Sequence, residues 1–467
     1  MGRLARASAI QFGVQGIQTV IGFTATLYFA NVLGATVLGK YYLALALVNW
    51  LLIPFAGVRS ATMKRMSEGD NPTAYLSTGT AVQLAFVCIE VAALLVFANI
   101  VDAYVGAVVA GLVALLLVSK AFSTFLLAAL RGTGRVQSAS LVEGGGNVLR
   151  VGVQLVFVLG GMTVAGLIWG EIIAAIVTVG SLVVLLRSFG RPEKKHLVSI
   201  YEYGKFAWLS SVKAMSYSWL DTIVLGFFVL PEIVGSYEVA WRISAAFILL
   251  PTAIVKVLFQ DISRSESFSD LERISETLRR ALSIAGFLSI PGVVGAIVLG
   301  EPILQLYGDE FVGGFVPLVI LSIGRILQSY ETVLLQSLNA LDLPEITFRI
   351  SALFFVTNIL ANVVFVWTTG AVGAAVATSG SIGLATLLSF RALRRHIAVR
   401  IEWETVASQF VAALVMGIIV ELALRWVNRS GLVTVLGLVC LGVVVYVCLV
   451  LGLSSATRRQ LFRITRS

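Results

Sequence analysis

Charge is scarce in this chain. Of its 467 residues, 13% are Asp, Glu, Lys or Arg, while 58% are hydrophobic. A soluble globular domain carries about 25% charged residues, so that class is excluded. Histidine occurs twice, at His196 and His396, and cysteine three times, at Cys88, Cys440 and Cys448. Such isolated residues exclude a structural zinc cluster. Cys440 and Cys448 stand eight positions apart on one expected helix and cannot bridge each other, so no disulfide framework is expected either. Long polar stretches are missing too. Nothing reads as a soluble domain, and any catalysis would have to occur at helix ends or within a bundle. No cofactor and no enzymatic activity are expected.

What is abundant is apolar sequence. The mean hydropathy is +0.95, and apolar runs separated by short polar loops recur from end to end. About 20 such residues span a bilayer. The runs predict an all-α polytopic membrane protein with about fourteen transmembrane helices. They lie near 8–31, 41–58, 77–98, 105–128, 139–160, 163–186, 206–229, 236–259, 280–300, 312–337, 347–368, 370–390, 405–426 and 431–454. "MGRLARAS" leads straight into the first of these, which predicts that no signal peptide is cleaved.

Orientation follows from Lys and Arg, which favour the cytoplasmic side. With the N-terminus inside, Arg3, Arg6, Arg59, Lys64 and Arg65 begin an inner set that continues to Arg466, while only Lys40, Arg425 and Arg429 fall outside. This alternation predicts cytoplasmic termini. It also explains the net charge of +9. The basic loops fit topology and anionic lipid rather than nucleic acid.

The chain repeats itself. "VLGKYYLA" (37–44) is matched by "IVGSYEVA" (233–240) at an offset of 196, aligning Gly39 with Gly235 and Tyr41 with Tyr237. "LLAALRGTGR" (126–135) and "LLQSLNALDL" (334–343), and "VFV" at 156–158 and 364–366, recur at an offset of 208. An even unit of six spans gives parallel halves related by an axis along the membrane normal. The expected layout is a six-helix lobe over 1–190, a second over 200–400, and two further helices with a basic cytoplasmic tail over 401–467. The division falls in the basic loop 187–205.

Polar residues inside the spans are the candidate site, because charges at membrane depth cost about 2.5–3.5 kcal/mol each on insertion scales. Gln11, Gln15 and Gln18 share one face of the first span. Lys213, Tyr217 and Asp221 form a stripe on the seventh. Glu238 and Arg242 open the eighth, either as an intrahelical ion pair or as cavity residues. Arg325, Ser329, Thr332, Gln336 and Asn339 follow one line along the tenth and predict a wet surface. Glu143, Asn147 and Arg150 lie on the fifth, where Glu143 and Arg150 could snorkel to the inner surface. Asn358 and Asn362, on the eleventh, read as ligands or as interhelical hydrogen-bonding residues. A cavity lined by Lys213, Arg242, Arg325 and the glutamines would be cationic and would suit a phosphate or pyrophosphate joined to sugars. Asp221 would then pair with Lys213 or serve ion coupling.

"NVLGATVLGKYYLALAL" after the first span, "LRGTGRVQ" after the fourth and "SWLDTIVLGFFVLPEIVGSYEVAWRI" around the seventh and eighth resemble the polysaccharide transporter family. These are O-antigen-type lipid-linked oligosaccharide flippases of the multidrug/oligosaccharidyl-lipid/polysaccharide exporter superfamily. The resemblance covers essentially the whole chain. It implies two six-helix lobes forming a V, alternating access across the cell membrane, and export of a polyprenyl-linked oligosaccharide alongside glycan assembly machinery. It implies that spans 1, 2, 7 and 8 face the cavity, with Arg59 near its inner mouth. It also implies coupling to a proton or sodium gradient. Peptidoglycan-type lipid precursor flippases and multidrug/cation antiporters are the nearest alternatives. A membrane enzyme acting on lipid-linked sugars is the alternative of another class, but the acidic loop 300–314 is short and reads as a solvated connector.

Overall fold

The computed structural model describes residues 3–69, 71–187, 190–248, 271–427 and 431–453, and their side chains except those of 3–20, 206–211, 214 and 271–274. Helix dominates because a backbone in hydrocarbon must satisfy its own hydrogen bonds. In order, the helices are α1 (Arg3–Leu51), α2 (Phe55–Ser67), α3 (Pro72–Val96), α4 (Ala98–Val105), α5 (Ala110–Gly132), α6 (Val136–Leu159), α7 (Val164–Leu186), α8 (Lys194–Phe228) and α9 (Pro231–Ala245). They continue with α10 (Leu271–Ala285), α11 (Ser289–Tyr307), α12 (Phe315–Ala340), α13 (Pro344–Leu393), α14 (Trp403–Trp426) and α15 (Leu432–Leu453). Ten helical stretches among the described residues are long and apolar enough to cross a membrane. Their outer faces carry fully apolar, exposed side chains such as Val96, Leu159, Trp367 and Val433. Lipid, not water, is the solvent those faces require. This is a multi-pass membrane protein.

Several expected spans match single helices closely, such as 163–186 with α7 and 405–426 with α14. Others differ. The connection expected between residues 31 and 41 is reduced to one residue: helix stops at Gly34, whose φ of 80° and ψ of 171° are non-helical, and resumes at once to Leu51, so the second span starts and ends earlier than expected. The expected span 280–300 is interrupted at residues 286–288, between α10 and α11. Pro291 explains the break, since it has no N–H to give residue 287 and its ring opposes that carbonyl. The expected span 236–259 begins as α9, tightens into a 3₁₀ turn at Ala246–Ile248, and then leaves the described residues. Part of the acidic connector 300–314 is helical, with α11 running through Pro302 to Tyr307.

The chain divides into two compact units, Met1–Gly235 and Ser236–Ser467. In the first, Phe125, Leu126 and Leu130 of α5 pack with Met66, Leu76 and Ile200. Asp102 at the end of α4 organises the next helix, accepting hydrogen bonds from the Val109 and Ala110 N–H groups at 2.7 Å each. That carboxylate caps otherwise orphaned N–H groups at the start of α5.

In the second unit, Leu299, Ala412, Met416, Val420, Leu438 and Tyr446 form a core of α11, α14 and α15. Arg279 ties α10 to the start of α14 through Glu402, and also pairs with Glu276. The helix α13 folds back on itself at Gly370, whose φ of 59° suits glycine. Across that hairpin Asn358 donates to the Thr378 hydroxyl at 3.0 Å, while Asn362 donates within its own arm to the Asn358 carbonyl at 3.1 Å. Both amides are fully buried, and interhelical bonding is the role the geometry gives Asn358. Asn358→Leu is expected to cost about 0.6–1.7 kcal/mol, the range measured for such bonds in membranes. A thermal melt of the purified protein checks it.

Candidate functional site: buried ionic groups at membrane depth

The first unit contains an ionic cluster built from four helices. Glu171 sits two turns into α7 and is 7% exposed. Lys120 of α5 approaches its Oε2 at 3.0 Å, and Arg150 of α6 approaches its Oε1 at 3.4 Å. The Tyr41 hydroxyl of α1 donates to Oε1 at 2.8 Å. Gln154 of α6 donates to the Tyr41 oxygen at 3.1 Å and to the Leu167 carbonyl at 2.9 Å. A carboxylate only accepts hydrogen bonds, and here it meets three donors. Two cations against one anion leave the group with a net charge of +1. Beside it lies a cavity of about 130 Å³ whose walls include Gly22, Asn147 and Arg150.

The second unit holds Arg325 on α12, which is 3% exposed. Its guanidinium stacks on the Trp241 ring at 4.8 Å. It donates to the Ser244 hydroxyl at 3.2 Å, to Gln328 at 2.9 Å and to the Trp241 carbonyl at 3.5 Å. Arg325 therefore holds α9 against α12 through a planar fork and a stacked face, neither of which lysine could replace. Next to Trp241, Arg242 reaches Glu238 at 3.5 Å one turn earlier. The polar line along α12 starts dry: Ser329 is buried and donates to the Arg325 carbonyl at 2.8 Å, while Asn339 at the far end is exposed.

Other expected site residues are placed individually. Lys213 is half-buried and Asp221 buried, both on α8. Arg59 is half-buried on α2. Gln11, Gln15 and Gln18 lie on α1, but their side chains fall outside the described residues. Glu143 pairs with Arg131 at 2.7 Å, whereas Arg150, one helix side further along, turns inward to Glu171. A search for polar stripes at helical spacing passes over Lys120 and Glu171, because each is a lone charge within its span. A lone intramembrane charge is itself the signal that finds them.

Comparison with known proteins assigns the chain. The polysaccharide biosynthesis protein family matches residues 29–313. The "Probable flippase AglR" of Haloferax volcanii is 40% identical over 466 residues, covering 98% of both chains. From the same organism, the "Probable low-salt glycan biosynthesis flippase Agl15" is 30% identical and covers 89% of both. Among solved structures, a lipid II flippase MurJ in an inward closed conformation superposes with a TM-score of 0.81 over 97% of this chain and 100% of its own. At 17% identity, that superposition shows a shared fold alone. With the family model spanning more than half of the sequence and two relatives aligning over nearly all of it, this chain belongs to the polysaccharide biosynthesis protein family.

Proposed function

We propose that this protein is a flippase that moves a polyprenyl phosphate- or pyrophosphate-linked oligosaccharide from the cytoplasmic to the outer leaflet of the cell membrane. The observation that carries this reading is the 40% identity over 98% of both chains to the protein named "Probable flippase AglR". The physical task is to carry a hydrated, anionic headgroup across about 30 Å of hydrocarbon. Buried cations and amides inside a helical bundle supply the polar surroundings that the bilayer lacks. The lipid tail needs no such shelter and stays in hydrocarbon.

Within this reading the chain crosses the membrane fourteen times with both termini cytoplasmic, and the site is exposed first to one leaflet and then to the other. Arg242, Lys213, Arg59 and the α1 glutamines receive phosphate and sugar hydroxyls, with Arg325 supporting them. Asp221, a buried carboxylate, is the candidate for coupling to a proton or sodium gradient. The protein acts as a transporter and makes or breaks no covalent bond in its substrate.

Deleting the gene is expected to halt surface glycan formation and to accumulate lipid-linked oligosaccharide accessible only from the cytoplasmic leaflet. Oriented membrane vesicles probed with a membrane-impermeant glycosidase distinguish the leaflets. Accumulation on the outer leaflet would place the protein after translocation and remove the proposal.

A further inference from the structure

The ionic cluster of the first unit has a neutral counterpart in the second. At the offset of 208 that relates the two "VFV" segments, Lys120 corresponds to Gln328, Arg150 to Asn358, Gln154 to Asn362 and Glu171 to Ser379. The hairpin α6–α7 and the hairpin within α13 are built alike: Arg150 meets Glu171 across one, and Asn358 meets Thr378 across the other. The fold thus closes this hairpin with neutral side chains in one copy. Charges at membrane depth are costly, so the first copy retains three of them for a reason other than closing the hairpin.

The geometry supplies that reason. Glu171 is held at 3.0 Å by Lys120 and at 2.8 Å by Tyr41, but Arg150 touches it at 3.4 Å, the longest of the three contacts. Arg150 also forms part of the wall of the 130 Å³ cavity, together with Asn147, Gly22 and the apolar Ile21, Val148 and Val151. That volume is several times the ~30 Å³ a water molecule takes up in the liquid. With the cluster at +1, an entering anion is favoured and an entering cation is opposed.

We propose that Arg150, backed by Lys120, is an anion-exchange site. The phosphate or pyrophosphate of the lipid carrier enters the cavity and takes the place of Glu171 on the Arg150 guanidinium. Glu171 keeps Lys120 and Tyr41 as partners during the exchange, so no uncompensated carboxylate is created. When the ligand leaves, Glu171 recovers Arg150 and the site closes electrostatically. Glu171 is therefore a built-in competitor that keeps the arginine from holding its ligand too tightly, as a transporter's release step demands. The inference rests on the proposed flippase function and specifies where the phosphate is received.

The test is titration calorimetry on the purified full chain with inorganic pyrophosphate and with farnesyl pyrophosphate. Glu171→Gln keeps the size and a hydrogen-bonding side chain but removes the competing charge, and is expected to tighten farnesyl pyrophosphate binding at least tenfold. Arg150→Gln is expected to weaken it at least tenfold. Should Glu171→Gln not fold, Asn147→Leu narrows the cavity without touching the ion cluster and is expected to weaken binding while leaving the melting temperature near that of the wild type. Unchanged affinity in Arg150→Gln, or weaker binding in a folded Glu171→Gln protein, overturns the exchange. Inorganic pyrophosphate binding through Arg150 without farnesyl pyrophosphate binding there would assign the site to a free anion and overturn the lipid assignment. Wild-type flipping measured in parallel separates the two readings. Normal flipping with no Arg150 dependence removes this inference alone, and Arg150-dependent binding without flipping removes the flippase alone.

Discussion

Replacing Gly39 or Gly235 with leucine is expected to abolish export and to leave little folded protein. These glycines occupy equivalent positions of the sequence repeat, and α1 and α9 cross where they meet. A Cβ on Gly39 would collide with the Pro231 carbonyl oxygen, 1.7 Å away, and would also crowd the Gly235 N–H. One on Gly235 would lie 2.2 Å from the Ala35 carbonyl oxygen. Ala35 and Pro231 are themselves related by the same offset of 196, so each glycine faces the partner helix in a reciprocal way. The obstructing atoms are backbone and cannot rotate aside. Overpacking a core commonly costs about 1–3 kcal/mol when side chains can yield, and here the helices themselves must part. Even alanine is expected to lower stability measurably at either position. Gly145→Ala on α6 is the control. Nothing lies within 4 Å of its new methyl, and alanine in an open helical position is worth about 0.5–1 kcal/mol over glycine. Its melting temperature should hold or rise. Fluorescence-detected thermal unfolding of the three variants, with surface glycan assayed in complemented deletion cells, provides the check. A Gly235→Leu protein that melts and exports like the wild type would mean the two helices do not touch.

Arg325→Ala is expected to produce the second large loss. It removes the stack on Trp241 and the guanidinium's hydrogen bonds to the Ser244 hydroxyl and the Gln328 amide oxygen, while the Ser244 hydroxyl still donates to the Trp241 carbonyl at 2.8 Å. Each hydrogen bond lost from a charged donor costs about 1.5–3 kcal/mol, and the lost cation–π contact adds about 0.5–2 kcal/mol. Export should fall at least tenfold. Arg325→Lys keeps the charge but loses the fork and the flat face, so it should recover little. Arg242→Ala differs in kind. Arg242 is partly exposed but its partner Glu238, one turn away, is buried, so Arg242→Ala is combined with Glu238→Gln to avoid stranding a buried carboxylate; that variant should retain near-normal stability yet lose export. Comparing melting temperature with transport in the two variants separates an arginine that positions α9 from one that meets the substrate. Export unchanged in both would remove Arg242 and Arg325 from the site.

The helices were legible where an unbroken apolar run ends in charge, as at α7, α14 and α15. Their boundaries are less legible where one helix stops and the next starts within a residue or two. Gly34 bends α1 between "YFANVL" and "ATVLGK", neither of which carries a polar loop signature. Pro291 ends a helix inside an apolar run for the opposite reason, a missing donor in a segment that hydropathy treats as continuous. The site shows a similar divide. Arg325 and Arg242 stand out because helical spacing lines polar residues up around them. Lys120, Arg150 and Glu171 come from three different helices, and no periodicity links them. Only the packing of α5, α6 and α7 reveals that these lone charges share one carboxylate. The repeat, which is faint as sequence, becomes informative once that packing is known, because it shows which positions the fold can fill without charge.

The central claim is translocation itself. The purified chain can be reconstituted into vesicles whose inner and outer leaflets both contain a polyprenyl pyrophosphate oligosaccharide bearing a fluorophore, and the lumenal pool then followed with a membrane-impermeant quencher. Without protein, about half of the signal should stay protected. With it, the protected fraction should fall towards zero at a rate that rises with protein per vesicle. A protected half that persists in vesicles shown to contain folded protein would contradict the account.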